Sequence, residues 1–504
     1  MPNKIDSNTV STFFAVESSP KVLPGSPVWY ELEANSFPQF GGQITNQARK
    51  PFNSSRQRLK GSPVTKDASG GVNMDVTASN TTRLMQGFMF ANAREHADTA
   101  PLNGTAVPIT STTATTYAAA SGLTAFKAGD IVFGSGFGVA ANNGVKVLSL
   151  ATGTTLTTTG NAVEASPPAT ASVEAVGFQF ASGDCTLTVA SGVLTIGATV
   201  KNLTDLGLSV GEWIFIGGDA TITKPVTSPV GYARVKSVSA TAIVCDKVTA
   251  AFVTDTCVGK TIQLFYGKFL RNEAYAQIVQ NTYQIERQLG NDGVGIQSEY
   301  LLGAVPNDFT LSLPVGDKLA CDMSFVALDH EGRSGTLGVK AGTRIAALNE
   351  SMYNTSSMLY RFKMNIIDEA TLQPTALFGY ITDGSISIKN GVQIIKAVGA
   401  VSGVDFCLSD FEVSGNVKAL FTTLAAVDAI KNNSSVTIDA IVAFGNTGII
   451  YDIPLLTLGG GQLDVQMDQP ITIPLEINAA RGTTGGYTLG VNYFTYLPNA
   501  AMPA

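Results

Sequence analysis

The chain has 504 residues, which is room for about three or four domains of ordinary size. Only 14% of the residues are charged, and Gly alone supplies 51 positions, so the composition favours β-structure with many turns and a surface partly covered by other copies of the chain. The formal net charge of −7 argues against a protein that binds nucleic acid tightly through clustered Lys and Arg.

The cysteines and the chain's apolar segments bear on the compartment. Five cysteines are scattered without CxxC spacing, so neither a disulfide framework nor a zinc site is predicted, and we expect buried thiols in a reducing cytosol: Cys185, Cys245, Cys257, Cys321 and Cys407. The N-terminus lacks the apolar core of a signal peptide, and no run of 18 apolar residues occurs. The sequence therefore predicts neither export by the usual routes nor a membrane span.

The first hundred residues contain a polar arm, strands, a basic loop and a helix. Residues 1–26 are polar and rich in Pro, which predicts an extended N-terminal arm that reaches a neighbour. Residues 28–44 alternate as strands do, and the next stretch carries six basic residues: Arg49, Lys50, Arg56, Arg58, Lys60 and Lys66. This stretch is either a solvated loop or an inter-ring docking loop that meets an acidic surface on an adjacent subunit.

A short amphipathic helix is predicted after the strand at 71–76, because apolar side chains recur at helical spacing there: Leu84, Met85, Phe88 and Met89. Residues 101–262 then shift to Thr, Ala, Ser and Gly and contain a repeat. The pattern at 126–133 returns at 208–215, and the pattern at 146–150 returns at 234–238. We predict two inserted SH3-like β-modules, at 106–175 and 176–262, on the outside of the host structure.

The plan of strands and helix returns after the insert. A hairpin is predicted from 309–313 to 319–328, and it completes a first domain made of residues 27–100 plus 263–350. The second domain, 351–504, repeats the plan. Its hairpin is predicted from 471–475 to 487–496, and its helix would carry one apolar face: Val417, Leu420, Phe421, Leu424, Val427 and Ile430. A chain that builds one β-rich unit twice is typical of an assembly component.

The sequence contains few of the residues and motifs that are typical of active sites. The two histidines, His96 and His330, are expected in surface loops, and Asp464 and Asp468 are expected to be hydrated. Residues 259–261 resemble the end of a P-loop, but Thr254 occupies the place of its first glycine, and residues 134–138 lack GxGxxG spacing. We predict no catalytic, cofactor-binding or metal site, and therefore no enzyme.

The order of strands, long loop, strand, helix and hairpins resembles that of the tail tube proteins of long-tailed, siphovirus-like bacteriophages. The features that carry the resemblance are the stretches 29–33, 49–66, 71–76, 413–417, 435–442 and 469–475. It covers roughly 1–100 and 265–504, and it rests on element order more than on a short motif. The fold it implies is mainly β, with two tandem tail-tube-type β-sandwich or barrel domains, each with one short α-helix, plus the inserted modules.

The resemblance also implies a function. Tail tubes are stacked rings with about six copies of the fold each, whose inner sheets join edge to edge around a channel for DNA ejection. With two copies per chain, three chains would close a pseudo-sixfold ring, and the basic loop and arm would hold successive rings together. Other implied partners are the tape measure and the tail-terminator and tip proteins. DNA would pass without specific binding, and the site of action would be the virion tail, after synthesis in the host cytoplasm.

Lumen-facing positions are expected on the hairpin strands, where polar residues alternate with apolar ones: Thr310, Ser312, Asp322, Ser324, Thr472, Glu476 and Asn492. Their alternative interpretation is as ordinary outward-facing strand positions. Two other functions stay open, a capsid decoration protein or tail-associated adhesin, and a polysaccharide-cleaving tail-tip enzyme. The enzyme would need a carboxylate pair beside aromatic platforms, and Trp29 and Trp213 lie in unrelated modules.

Overall fold

The computed structural model describes residues 4–50, 52, 54, 57–93, 106–367, 374–376, 381–421 and 424–503. The protein is mainly β, as predicted, with two short α-helices in the described part. The chain divides into two compact units. Unit 1 comprises Met1–Ala91, Ala274–Met352 and Gly384–Gly415, and unit 2 comprises Asn92–Glu273, Tyr353–Asp383 and Asn416–Ala504.

The elements follow in chain order. Before the insert they are β1 (Ser11–Val16), β2 (Val28–Leu32), β3 (Ala34–Ser36), β4 (Gly41–Gln47), β5 (Ser62–Asp75) and α1 (Thr82–Phe88). The insert contains β6 (Val107–Pro108), β7 (Ser111–Thr112), β8 (Thr116–Ala118), β9 (Asp130–Ser135), β10 (Gly144–Val147), β11 (Leu150–Ala151), β12 (Thr155–Thr157), β13 (Ser172–Gln179), β14 (Cys185–Ala190), β15 (Val193–Ala198), β16 (Trp213–Ile216), β17 (Gly231–Val238) and β18 (Ala242–Val248), and directly after it come β19 (Gln263–Phe265) and β20 (Lys268–Arg271).

The remaining strands and the second helix complete the chain. They are β21 (Tyr283–Asn291), β22 (Ile296–Leu313), β23 (Ala320–Arg333), β24 (Thr343–Ile345), β25 (Leu359–Ile367), β26 (Pro374–Ala376), β27 (Ile381–Lys389), β28 (Gln393–Ile395), β29 (Asp405–Cys407), β30 (Glu412–Leu420), α2 (Ala425–Lys431), β31 (Val436–Phe444), β32 (Thr447–Gly460), β33 (Thr472–Ala480) and β34 (Gly490–Phe494). Short 3-10 turns occur at Ser7–Thr9, Ala140–Asn142, Leu203–Leu206, Thr221–Thr223, Tyr275–Gln277, Gly335–Leu337 and Asn499–Ala501.

Unit 1 is built on an antiparallel ladder in the order β1, β21, β22, β23, β5, β4. The predicted hairpin of β22 and β23 is confirmed, with Leu311 opposite Cys321. The predicted helix is confirmed as α1, which lies against β22. Its Phe88 ring is fully buried, with its centroid 5.6 Å from the rings of both Phe309 and Phe325. Burial of this apolar face holds so short a helix in place.

Two sequence expectations for unit 1 need correction. The N-terminal arm contains a packed strand, because β1 pairs with both β2 and β21, and Phe14 and Ala15 are buried. The apolar run at residues 13–15 is a strand signal, although the prolines that follow it favour an extended arm. His330 lies in β23 rather than in a loop. His96 lies outside the described residues.

The C-terminal part of unit 2 also differs from expectation in two places. Strand β30 runs on to Leu420, so Val417 is a buried strand residue, and α2 is only Ala425–Lys431. The strand β33 does not form a hairpin with β34. Instead β32 pairs with β33 through residues 455–460 and with β34 through residues 448–452. The local periodicity of the sequence does not identify these strand partners, because β33 and β34 both pair with β32, at different positions along it.

The insert consists of two parts with separate cores. One core is formed by residues between Val107 and Ala175, and the other by residues between Phe178 and Tyr266. Their main strands nevertheless share one sheet, in the order β10, β9, β13, β19, β16, β17, β18, β15, β14. A third apolar cluster, which includes Trp213 and Tyr232, packs this sheet against residues of β31, β32 and β34. The insert therefore belongs structurally to unit 2.

The internal repeat of the insert is reproduced in its backbone. Gly129 and Gly211 have φ values of +92° and +93°, in the left-handed region where a side chain is strained. The amide of Gly129 donates to the carbonyl of Leu148, and that of Gly211 donates to the carbonyl of Val235, both at 2.8 Å. The acidic residue after each glycine accepts a backbone N–H three residues earlier in the chain. The repeated sequence pattern thus encodes a repeated turn.

Candidate assembly surfaces

One side of the unit 1 sheet is polar. Thr310, Ser312, Asp322 and Ser324, which were predicted as lumen positions, alternate with buried residues on β22 and β23 and share this side. Thr310 is opposite Asp322 on β23 and opposite Ser387 on β27. The structure therefore brings these four predicted residues together on one partly exposed surface.

Hydrogen bonds cross between the strands of this polar surface. Asn73 of β5 donates to Asp322 at 2.7 Å, and Ser324 donates to Asp308 at 2.8 Å. The hydroxyls of Thr310 and Ser387 lie 3.0 Å apart. The opposite side of the same strands is occupied by the buried core beneath α1. Because α1 covers the apolar side, the polar side is the one this sheet presents to its surroundings.

The predicted lumen positions in unit 2 divide into two groups. Thr472 and Glu476 lie on the partly exposed side of β33 together with Pro474, and the residues that alternate with them, Ile473 and Leu475, are buried. Asn492 is fully buried in β34, where it is opposite Ile450 on β32. Its side-chain oxygen accepts the backbone N–H of Trp213 at 3.4 Å. Asn492 therefore lies inside the unit, between the insert and the C-terminal strands, and on no open surface.

The basic stretch forms most of the connection between β4 and β5. Arg49, Lys50, Arg58 and Lys60 are exposed in this connection, and Arg56 lies outside the described residues. Lys66 differs from them because it is part of β5, where its ammonium lies 2.8 Å from the carboxylate of Asp329 and also donates to the carbonyl of His330. Lys66 is thus engaged within its own chain. The other described basic residues project from an exposed two-stranded ribbon.

Unit 2 contains a buried ionic network that the sequence analysis missed. Lys247 of β18 places its ammonium 2.6 Å from Asp439 of β31, and Arg361 of β25 lies 2.7 Å from the other oxygen of the same carboxylate. Arg234 of β17 binds Asp452 of β32 at 3.0 Å. The network joins the insert to the C-terminal strands. The only sequence signal was the presence of charged residues within apolar strands.

The network borders a cavity of about 310 Å³ whose lining includes Arg234, Lys247 and Tyr487. Burial lowers the pKa of Lys247, while the carboxylates of Asp439 and Asp452 oppose that shift. Tyr487 donates its hydroxyl to Asp452 at 3.1 Å, and burial raises its pKa well above the usual value. Each of these four charged residues, Arg234, Lys247, Asp439 and Asp452, has an ionic partner, so the network connects strands of the insert to C-terminal strands.

His330 and Asp464 are titratable residues outside this network. Within the described residues, no three His, Cys, Asp or Glu side chains are grouped so that they could hold a metal ion. Burial lowers the pKa of His330, and Glu299, whose carboxylate is 4.0 Å away, opposes the shift. Asp464 pairs through the backbone with Thr472 and lies 3.6 Å from the ammonium of Lys418. No helix in the described part of the chain is long and apolar enough to cross a membrane.

A comparison with protein families adds to this geometry. A model described as phage tail tube protein matches residues 216–479, which is just over half of the chain. The chain belongs to the phage tail tube protein family. The match begins at the end of β16, inside the insert, and reaches the end of β33. A search of curated proteins gives no match.

Membership of the tail tube family makes this chain a structural component of a phage tail that assembles with itself. It also agrees with the β-rich architecture and with the polar sheet surfaces described above. The matched segment includes β22 and β23, which carry the polar surface of unit 1, and β33, which carries that of unit 2.

Proposed function

We propose that three copies of this chain form each ring of a siphovirus-like tail tube, and that the stacked rings enclose a channel for DNA ejection. Each chain supplies two tube domains, so three chains give pseudo-sixfold symmetry. The observation that carries the proposal is the order of strands in the two halves of the chain.

The strand order supports a duplicated domain. The first half contains the ladder β1, β21, β22, β23, β5, β4, with α1 between β5 and β21 in the chain and packed on β22. The second half contains the ladder β25, β31, β32, β33, β30, β27, with α2 between β30 and β31 and packed on β32. Six strands and one helix thus correspond in order, direction of chain and helix position.

One strand pair supplies a template for joining sister chains. Beyond its pairing with β21, the C-terminal part of β22 pairs with β27 through residues 308–313 and 384–389. In the second half β32 takes the place of β22, and its edge that corresponds to residues 308–313 is at residues 457–460. In the first half β3 and β4 take the place that β27 has in the second half. Among the described residues, β4 pairs only with β5, and residues 457–460 pair only with β33. Open strand borders of this kind invite pairing with another chain.

Pairing of β32 from one chain with the β3–β4 border of the next would therefore repeat the β22–β27 junction around a ring. Head-to-tail contacts of this kind form a closed ring when a whole number of rotations between neighbouring chains makes one full turn. Every strand edge at these contacts is then paired. The polar surface that carries Asp308, Thr310 and Asp322 would then continue around the bore. Its carboxylates would repel phosphate and keep the DNA mobile.

Cysteine crosslinking tests this junction. In a Cys407→Ser background, Thr457→Cys is combined with Gln43→Cys or Ile44→Cys, and assembled tubes are oxidised and separated on a non-reducing gel. Crosslinks between neighbours should accumulate up to covalent trimers. Each single-cysteine variant and the pair Thr457→Cys with Thr188→Cys, on an exposed part of β14, serve as controls.

The outcomes test the three-chain ring, the β32–β4 junction and the tube separately. A ladder that continues to hexamers would refute the three-chain ring, while absence of crosslinks in intact tubes would refute the β32–β4 junction. Electron microscopy of the same samples checks the tube itself. Monodisperse particles without a bore at high protein concentration would favour a decoration protein or adhesin instead.

The basic connection between β4 and β5 is proposed to bind the next ring. Arg49, Lys50, Arg58 and Lys60 are exposed there, together with the apolar side chains of Phe52 and Leu59. Charge reversal at Arg56, Arg58 and Lys60 should shorten tubes without unfolding the chain. Lys127→Glu with Lys224→Glu, in the insert, is the matched control. Tubes of normal length from the triple variant would remove this connection from ring stacking.

A further inference from the structure

Two cysteines face each other in the second part of the insert. Residues 180–189 run antiparallel to residues 253–262: the amide of Phe180 donates to the carbonyl of Ile262 at 2.9 Å, and Leu187 and Asp255 exchange two backbone hydrogen bonds of 2.8 Å. Two residues before Leu187 and two after Asp255 stand Cys185 and Cys257. The register therefore places these two residues opposite each other.

Both side chains lie in the same apolar core. Cys185 and Cys257 are each fully buried there, and each influences the ionisation of the other. Cys257 has a left-handed backbone with φ of +48°, and the next residue, Val258, is 74% exposed. Cys257 is thus the member of the pair at which the chain returns to the surface.

This influence makes the two thiols chemically unequal. A hydrogen bond from Cys185 lowers the pKa of Cys257 against the opposing effect of burial. The same hydrogen bond, together with burial, raises the pKa of Cys185. Cys257 is therefore the thiol that ionises first, and the thiolate is the reactive form of cysteine.

We propose that Cys185 and Cys257 are an oxidisable pair, which stays reduced in the cytosol and closes to an intrachain disulfide when the protein meets hydrogen peroxide. The Cys257 thiolate attacks one peroxide oxygen, the O–O bond breaks, and the departing hydroxide takes a proton to become water. The sulfur of Cys185 then attacks the sulfenic sulfur of Cys257. The S–O bond breaks, and the hydroxide leaves with the Cys185 proton as a second water. Two thiols lose two electrons in total, and the peroxide gains them.

The disulfide would bind the segment around Cys257 to β14 and so lock the fold of this part of the insert. Oxidation is expected after the virion leaves the reducing cytoplasm, since disulfides persist in oxidising surroundings. The proposal concerns the folded chain and does not depend on the number of chains in a ring.

The test uses the full chain with Cys407→Ser, because Cys407 is exposed and could link two chains. The folded protein is treated with peroxide, quenched with catalase, denatured, alkylated and weighed. We expect two of the four remaining cysteines to escape alkylation, so the oxidised chain should lack two alkyl groups and two hydrogens relative to the reduced, alkylated chain, and dithiothreitol added before alkylation should reverse the difference. A non-reducing peptide map should join the peptides that contain residues 185 and 257.

Three variants assign the roles. Cys245→Ser, which removes another buried thiol, should leave the reaction unchanged, and Cys257→Ala should abolish it. Cys185→Ser should stop at the sulfenic acid of Cys257, which dimedone traps. Circular dichroism establishes that each variant is folded. Four titratable thiols after exposure of the folded parent, a disulfide that includes Cys245 or Cys321, or oxidation of Cys257 to sulfinic acid without a link would each overturn the proposal.

Discussion

The substitution Asp439→Asn should strongly destabilise unit 2. Asp439 is fully buried and lies between two cations, with Lys247 at 2.6 Å and Arg361 at 2.7 Å. The substitution removes the charge that both cations share while it preserves the shape of the side chain. Lys247 would then have only the more distant Asp452, at 3.9 Å, which already binds Arg234.

The expected loss can be estimated from the geometry. Removal of one partner from a buried ion pair costs about 3–5 kcal/mol because the remaining charge is left without compensation. Asp439 serves two cations, of which Arg361 is slightly exposed, so we expect a value in the middle of this range, about 4 kcal/mol. Lys247→Met should cost less, about 3 kcal/mol, because Arg361 would still neutralise Asp439.

The two tryptophans allow the units to be followed separately. Trp29 is buried in unit 1 and Trp213 in unit 2, and the chain has no others. In a Trp29→Phe background, Trp213 fluorescence should show a midpoint of thermal unfolding that is about 6 °C lower for Asp439→Asn, because the unfolding entropy scales with the roughly 300 residues of unit 2. In a Trp213→Phe background, the transition reported by Trp29 should stay where it is.

The matched control is Lys236→Met, on the partly exposed part of β17, which should change stability by no more than about 0.5 kcal/mol. A loss below about 1 kcal/mol for Asp439→Asn would show that the network does not hold the insert to the C-terminal strands. An equal shift of both tryptophan transitions would show that the effect is not confined to unit 2.

Three further predictions concern single positions. Phe88→Ala should cost unit 1 about 3–5 kcal/mol in urea unfolding, because this ring fills the space between α1 and the sheet; a loss under 1 kcal/mol would refute that packing. Gly211→Ala should destabilise unit 2 more than Gly259→Ala, since both have positive φ but a Cβ at 211 would lie 2.3 Å from the Tyr487 ring, whereas a Cβ at 259 would meet nothing within 4 Å; equal thermal midpoints would contradict this. Burial raises the pKa of Asp255, but hydrogen bonds from the amides of Ser228, Thr227 and Cys257 outweigh it and bring the pKa to about 2, below the usual 3.8. The carboxylate therefore stabilises the fold above pH 3.8, and about 1–2 kcal/mol should be lost as the pH falls through 2 in the parent but not in Asp255→Asn, as measured by urea unfolding at each pH.

Local patterns in the sequence determined the elements whose neighbours in space are also neighbours in the chain. The apolar spacing at 84–89 specifies α1 because a helix buries residues three and four apart. Alternation at 309–313 and 320–328 specifies the β22–β23 hairpin and its polar side, since strand side chains point alternately to opposite sides. The repeated glycine and acidic residue in the insert specify the same turn twice, because both turns are closed within a few residues.

Only the tertiary structure decided which distant segments meet. In the sequence Asn492 is one polar residue among alternating strand positions. In the structure it is buried, because β34 lies between β32 and β20. Lys247 and Asp439 are far apart in the sequence, and their pairing exists because the insert packs on β31 and β32. Alternation fixes the side of a strand on which a residue lies. It does not fix which strand will be its neighbour, because that choice depends on the total apolar area that the whole chain can bury.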